Sequence, residues 1–315
     1  MPILCLKYRL YPTKAQATEM KATLETCREV YNSFLNSRKH DYQLHGKSLS
    51  YYNQATELPK WKKDHPELLA VHSQVLQNVA VRVDLAYKAF FRRIKAGGEK
   101  PGFPRFKGDG YDSFTYPQDG WKVLSGCVTL SKIGTIKAKI HRPIVGKIKT
   151  CTVLRTGDKW FVCFACEVEH QPLPLSTEAV GIDVGLEKFA ALSDGSFIDN
   201  PRFFRAEEKA LAKTQRKLSK CIRGSHERRR AKKVVRRVHE RIRNRRHNFV
   251  HQNARRIINK FGMISVEKLA VQKMQGNHHL AKSISDASWS MFRNVLSQKA
   301  ESAARKFVEV NPAYT

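Results

Sequence analysis

The hydrophobic period of this chain switches along its length, and each switch dictates which element can form. From Ile3 to Tyr11 the residues alternate. Leu4, Leu6, Tyr8 and Leu10 fall on one face and Ile3, Cys5 and Lys7 on the other, a strand that Pro12 ends. Thr13 stands where a helix wants its N-cap, and Ala17, Met20, Leu24, Cys27, Tyr31 and Phe34 follow at helical spacing. A second stripe, with Leu68, Val71, Leu76, Val79, Val83, Tyr87, Phe90 and Ile94, predicts a helix from about Pro66 to Lys95, closed by Gly97-Gly98. From Asp112 to Glu169 the period is two. Val128–Leu130, Ile136–Ile140, Ile148–Leu154 and Trp160–Val168 read as strands, with turns at Lys132-Ile133-Gly134 and Thr156-Gly157-Asp158. A strand before a helical insert and more strands after it predict one β-barrel that takes its first strand from the N-terminus. Lys132, Lys137, Lys139, Lys147 and Lys149 point outward from it, as either a solvated face or a nucleic-acid contact. His170-Gln171-Pro172-Leu173-Pro174 reads as a rigid linker. Ala179–Val184, apolar but for one acid, reads as a strand buried on both faces.

Charge narrows the partner. Against 28 Asp and Glu stand 58 Lys and Arg, a formal net charge of +30. Self-repulsion of that size destabilises a compact protein, so a polyanion is the expected neutraliser, and nucleic acid comes first. A membrane surface fits less well, because no apolar run approaches 18 residues. Pro201–Lys260 holds 22 Lys or Arg and 4 Glu, so 22 − 4 = +18 of the excess lies in 60 residues. A helix there has only Val234, Val235, Val238, Ile242 and Phe249 as an apolar stripe. A merely solvated helix would interleave acids at i,i+4; this one sets Lys232 against Arg236 and Lys233 against Arg237. The expected phosphate contacts are Arg216, Lys217, Arg228, Arg229, Arg230, Lys232, Lys233, Arg236, Arg237, Arg241, Arg245 and Arg246. Such contacts position a polynucleotide without reading its bases.

Two acids sit where an acid is costly. Asp183 ends the apolar run Val180-Gly181-Ile182, and Glu267 ends Met263-Ile264-Ser265-Val266. Carboxylates from neighbouring strands suit Mg²⁺ (or Mn²⁺) and in-line attack on a phosphodiester. On spacing alone, Asp183 capping a turn and Glu267 pairing with a surface lysine stands as the alternative. The seven cysteines are odd in number and scattered, which argues against a disulfide framework. Cys163 and Cys166 fall on opposite faces of a strand, so they read as ordinary thiols rather than a zinc pair. His278-His279 reads as a loop pair. With no signal-peptide pattern at the start, a cytoplasmic location is expected.

These motifs together resemble the TnpB proteins of bacterial insertion sequences. Gly181-Ile182-Asp183-Val184-Gly185, with Phe189-Ala190 and Asp194-Gly195, is similar to the family's first RuvC motif, and Val266-Glu267-Lys268-Leu269 to its second. Gly102-Phe103-Pro104-Arg105-Phe106-Lys107, Ser283–Trp289, Lys299-Ala300 and Val310–Thr315 match in order along nearly the whole chain. The resemblance implies an α+β multidomain protein. Residues 1–12 plus 100–172 would form a wedge β-barrel, 13–99 an inserted helical recognition lobe, and 173–315 a RuvC-like α/β domain of RNase H-like fold with basic helices at 201–260. It implies an RNA-guided, Mg-dependent DNA endonuclease whose partners are a guide RNA from the transposon end and double-stranded target DNA. Asp183 and Glu267 would be its first two catalytic metal ligands, and Arg105 and Lys107 would join the nucleic-acid contacts.

The family continues past Tyr314-Thr315 with a zinc ribbon of two Cys-x-x-Cys pairs and a third RuvC Asp, neither present in these 315 residues. The RuvC-like domain is therefore expected to be incomplete at its C-terminus, with zinc ligands absent and cleavage weak or lost, because a metal clamp missing one ligand loses positioning. Phe103, Phe106 and Trp289 could stack on bases or simply pack locally. Two rival functions remain: a guide-RNA-dependent DNA-binding repressor without catalysis, and a transposase acting directly on transposon ends. The latter lacks a Tyr or His-hydrophobe-His pattern for transesterification.

Overall fold

A computed structural model describes residues 3–97, 101–169 and 172–311. Gly98, His170-Gln171 and Pro312–Thr315 of the motifs above lie outside the described residues. The chain divides into two compact units, Met1–Glu169 and His170–Thr315.

In the first unit, β1 (Ile3–Tyr11) buries Leu6, Tyr8 and Leu10. Thr13 then starts α1 (Lys14–His45) through a reciprocal capping box with Gln16. An additional helix, α2 (Tyr51–Asp64), has a period too short, and too interrupted by Pro59, to show in the sequence; Ser50 caps it with Asn53 as partner. The expected helix from Pro66 is two pieces. A 3₁₀ turn, Pro66–Ala70, gives way to extended Val71 before α3 (Ser73–Lys95) begins. Strands β2 (Ser113–Tyr116), β3 (Trp121–Leu124), β4 (Cys127–Leu130), β5 (Gly134–Lys139), β6 (Lys147–Thr156) and β7 (Lys159–Glu167) follow. All seven strands pair antiparallel in the order β2-β6-β7-β1-β5-β4-β3. β1 thus sits in mid-sheet, held on both sides by strands more than 120 residues later. Met20, Cys27 and Phe34 of α1 and Leu76 and Val83 of α3 share one buried cluster with Tyr8, Phe114, Val153 and Phe164 of the sheet. The helical insert therefore has its core in common with the sheet.

The second unit holds β8 (Ala179–Val184), β9 (Lys188–Leu192), β10 (Phe197–Asp199), α4 (Phe203–Lys220), α5 (His226–Lys260), β11 (Met263–Glu267), α6 (Val271–Met274), α7 (Ala281–Ala287), α8 (Trp289–Ser302) and β12 (Lys306–Val310). Its sheet runs β10-β9-β8-β11-β12, antiparallel through β8 and parallel from β8 to β12. Val180, Ile182, Ile264 and Val266 bury one face of this mixed sheet under Val250, Ala254, Ile257 and Ile258 of α5 and Phe292 and Leu296 of α8. The expected burial of β8 on both faces does not occur. β8 is covered on one face only, and along it Val180 and Ile182 are buried while Gly181 is half-buried and Asp183 exposed. A strand next to a sheet's helix-covered face needs apolar residues only at alternate positions, and Gly181 hides the alternation by offering no side chain to classify. Among the described residues no helix is long and apolar enough to cross a membrane.

Candidate metal centre and nucleic-acid interface

Strand pairing brings the two acids together. β8 and β11 run in parallel register, Ala179 beside Met263, Val180 beside Ile264, Gly181 beside Ser265 and Ile182 beside Val266. The next step of that register is Asp183 beside Glu267. Because side chains alternate, both carboxylates leave the sheet on the face opposite Val180, Ile182, Ile264 and Val266. Their outer neighbours are Ala191 on β9 and Val310 on β12, which add no charge. The register starts at Gly262, whose N–H donates to the Glu178 carbonyl at 2.8 Å. A Cβ there would overlap the Ser176 carbonyl oxygen, so only glycine lets β11 begin so close to β8.

Two like charges side by side repel, and a hard divalent cation accepting oxygen from both relieves that repulsion. Carboxylate oxygens are the donor type that Mg²⁺ or Mn²⁺ takes. Among the described residues no group of three or more His, Cys, Asp or Glu stands together in a metal-holding arrangement. Cys166 is fully buried, while Cys163 is half-buried on the other face with its Sγ 3.3 Å from that of Cys5. The His278 and His279 rings lie 3.9 Å apart, both exposed.

The basic segment folds as two long helices, α4 and α5, packed together around Leu211, Val238 and Ile242, with Phe203, Phe204 and Val235 at the margin. Arg229, Arg230, Lys232, Lys233, Arg236, Arg237, Arg241 and Arg245 are exposed along α5. Arg241 and Arg245 lean on buried Glu207 of α4 at 3.3 and 3.6 Å. Two of the expected contacts have structural partners instead. Arg228 donates to the carbonyls of Leu218 (2.9 Å) and Cys221 (3.0 Å), closing the end of α4. Arg246 is only 21% exposed and donates from Nε and Nη2 to the Asp286 carboxylate at 3.1 and 2.7 Å. Their guanidinium groups are spent on the fold, which charge counting does not reveal.

Arg216 and Lys217 lie in a groove that also takes in Arg205, Lys209, Lys213 and Lys220 of α4. Arg205, Lys209 and Lys213 share the four-residue step of Lys217, and Lys220 that of Arg216, a spacing that sets each series in one row of the helix. In the first unit Arg105 and Lys107 are exposed. Lys107 is fixed at its backbone by Asn32, through N–H to Oδ1 at 2.7 Å and carbonyl to Nδ2 at 2.9 Å. Phe103 packs edge-on to Tyr87 and Phe90, and Phe106 is open to solvent. Trp289 is 5% exposed inside the core, so base stacking by its ring is excluded in this conformation.

Comparison with known proteins gives concordant results. Residues 163–278 match a family profile described as "Probable transposase", of the OrfB type from IS605 elements. Residues 2–47 match that family's "Helix-turn-helix domain", although here residues 3–45 form strand β1 and a single helix, α1. A Streptomyces pristinaespiralis protein named "Putative RNA-guided DNA endonuclease" is 33% identical over 97% of this chain and 76% of its own length. InsQ of Escherichia coli K12, which carries the same description, is 31% identical over 98% of this chain and 80% of its own. The Cas12f1 chain from a cryo-EM structure of a Cas12f1–sgRNA–target DNA complex superposes with a TM-score of 0.57 at 13% identity. That match covers 95% of this chain and 74% of the other, a likeness of fold.

Proposed function

The chain belongs to the IS605 OrfB, or TnpB-like, family of RNA-guided DNA endonucleases, and from that membership we propose that it binds a guide RNA and the matching double-stranded DNA. The observation that carries the reading is the parallel β8–β11 register, whose next step sets exposed Asp183 beside half-buried Glu267, in the same unit as the cationic α4–α5 pair. Base pairing of guide and target supplies sequence recognition, while protein cations hold the backbones. Arg229, Arg230, Lys232, Lys233, Arg236 and Arg237, with the α4 row, are the phosphate contacts in this reading. The seven-stranded sheet corresponds to the wedge and α1–α3 to the recognition helices. Asp183 and Glu267 are the residues that would hold Mg²⁺ or Mn²⁺. When bound, the metal would activate water and stabilise the leaving oxygen. Their placement on adjacent strands fixes both oxygens against a rigid sheet before substrate arrives.

Metal binding should depend on both carboxylates at once, since each supplies part of the oxygen set. The test combines Mn²⁺ titration with incubation of guide RNA, matching duplex and Mg²⁺. Asp183→Asn and Glu267→Gln should each weaken Mn²⁺ binding tenfold or so while RNA affinity holds, since neutralising an acid removes a ligand and not a cation. Unaltered Mn²⁺ binding in both variants would remove the metal assignment. Cleavage undiminished in both variants would remove their catalytic role.

A further inference from the structure

Helix α4 begins without a cap of its own. The residue before it, Arg202, is in the left-handed region (φ +46°) and offers no side-chain hydrogen bond to the first turn. A side-chain oxygen from the preceding residue normally satisfies those N–H groups. Here the oxygen comes from Asp286, 82 residues away at the end of α7. Its carboxylate accepts from the Phe204 N–H at 2.9 Å and the Arg205 N–H at 3.3 Å. The same carboxylate accepts both Arg246 bonds from α5. With four donors on two oxygens, its acceptor capacity is full. Asp286 is 6% exposed.

The location gives the contact its meaning. Arg246 sits between the two halves of α5. The C-terminal half is embedded in the sheet core through Val250, Ala254, Ile257 and Ile258, whereas Val238 and Ile242 of the N-terminal half lie in a small separate cluster shared with α4. Asp286 therefore ties the base of the cationic pair, both helices at once, to the segment between sheet strands β11 and β12. We propose that Asp286 is a positioning residue, a latch that fixes the direction of the α4–α5 pair relative to the sheet carrying Asp183 and Glu267. Nucleic acid gripped by the pair is thereby presented to that sheet in a single register. The functional half of this statement rests on the reading above; the mechanical half does not.

Asn at 286 keeps the shape but offers two extra donors to a ring of donors, so it should open the latch. The test uses the full chain with spin labels, carried on non-natural residues, at Ile222 (80% exposed) in the turn between α4 and α5 and at Phe197 (59% exposed) on β10. Asp286→Asn should broaden the interlabel distance distribution and speed amide exchange at Phe204 and Arg205 by about tenfold or more. Arg246→Gln, which leaves the cap on α4 intact, should broaden the distances without that exchange change, and it serves if Asp286→Asn fails to fold. An interlabel width equal to wild type in the folded variants overturns the latch. In either variant RNA affinity should stay within about twofold and its salt slope hold, because no phosphate contact is removed. With guide RNA and matching duplex bound, the interlabel distribution should be narrow in the wild type and stay broad in either variant, from misplacement rather than lost binding. A fall in affinity that parallels the broadening would make the residue merely structural and overturn the positioning role. Failure of the wild type to bind RNA would defeat the functional reading while leaving the distance result to stand.

Discussion

Helix α5 is one uninterrupted element in two environments, and its halves obey different rules. Between His226 and Arg246 it carries eleven Lys or Arg and buries only Ala231, Val238 and Ile242. From His247 to Lys260 it carries three and buries Val250, Asn253, Ala254, Ile257 and Ile258. The second half is held by the sheet. Phe249 stacks edge-on to Phe189 at 4.9 Å, and Lys260 reaches Asp194 at 2.8 Å, which holds that carboxyl well below the usual range. The first half has the thin seam with α4 and a self-repelling surface. A helix whose own charges oppose it, continued rigidly from a well-buried half, is suited to a ligand that supplies the missing negative charge.

Four changes would break or sharpen this contrast. The largest effect is expected from reversing Arg229, Arg230, Lys232 and Arg236 to Glu. RNA affinity should drop by about a hundredfold or more and the salt slope should flatten by about 4, because each lost phosphate contact removes roughly 0.9 from it. Filter binding across a salt series reads both, and an unchanged slope would take the first half out of the interface. Next, Ile258→Ala in the second half should cost about 2–5 kcal/mol of stability, measured by urea unfolding, since it empties a well-packed site under the sheet. Ile242→Ala removes the same atoms from the first half. It should shift the unfolding midpoint less and appear instead as faster amide exchange confined to α4 and the first half of α5. Equal global losses from the two substitutions would show that α5 has no such division.

The smallest effect concerns His251 in the second half. Partial burial, with help from Lys299 and His247, holds its pKa below the ordinary 6.5. The unfolded chain therefore binds a proton more readily there. The stability this histidine contributes is complete above about pH 6.5 and is lost as pH falls through its lower folded-state value. His251→Gln should flatten the unfolding midpoint over that acidic range, and an unaltered pH profile would mean the ring is effectively solvated.

Legibility in the sequence followed periodicity. β1, α1 and the strands from Cys127 to Glu167 stood out because one face of each is apolar at a constant step, and Thr13 was identified as a cap by residue type alone. α2 was hidden by Pro59 and its brevity, and the one-sided burial of β8 by Gly181. Of the candidate site, Asp183 and Glu267 were visible as acids in apolar surroundings, and the exposed arginines as an unbalanced run. The partners of Arg228 and Arg246 were not visible, because one is a pair of backbone carbonyls and the other an acid 40 residues away.

The residues in order determined the elements, the excess of positive charge and the two costly acids, since propensity, alternation and charge are properties of neighbours along the chain. Tertiary structure alone decided that positions 84 residues apart share a sheet register, that one distant aspartate caps α4 and clasps α5, and which cations remain facing solvent. Those outcomes depend on distances closed by strand pairing and helix packing, and a linear pattern carries no term for the contacts that close them.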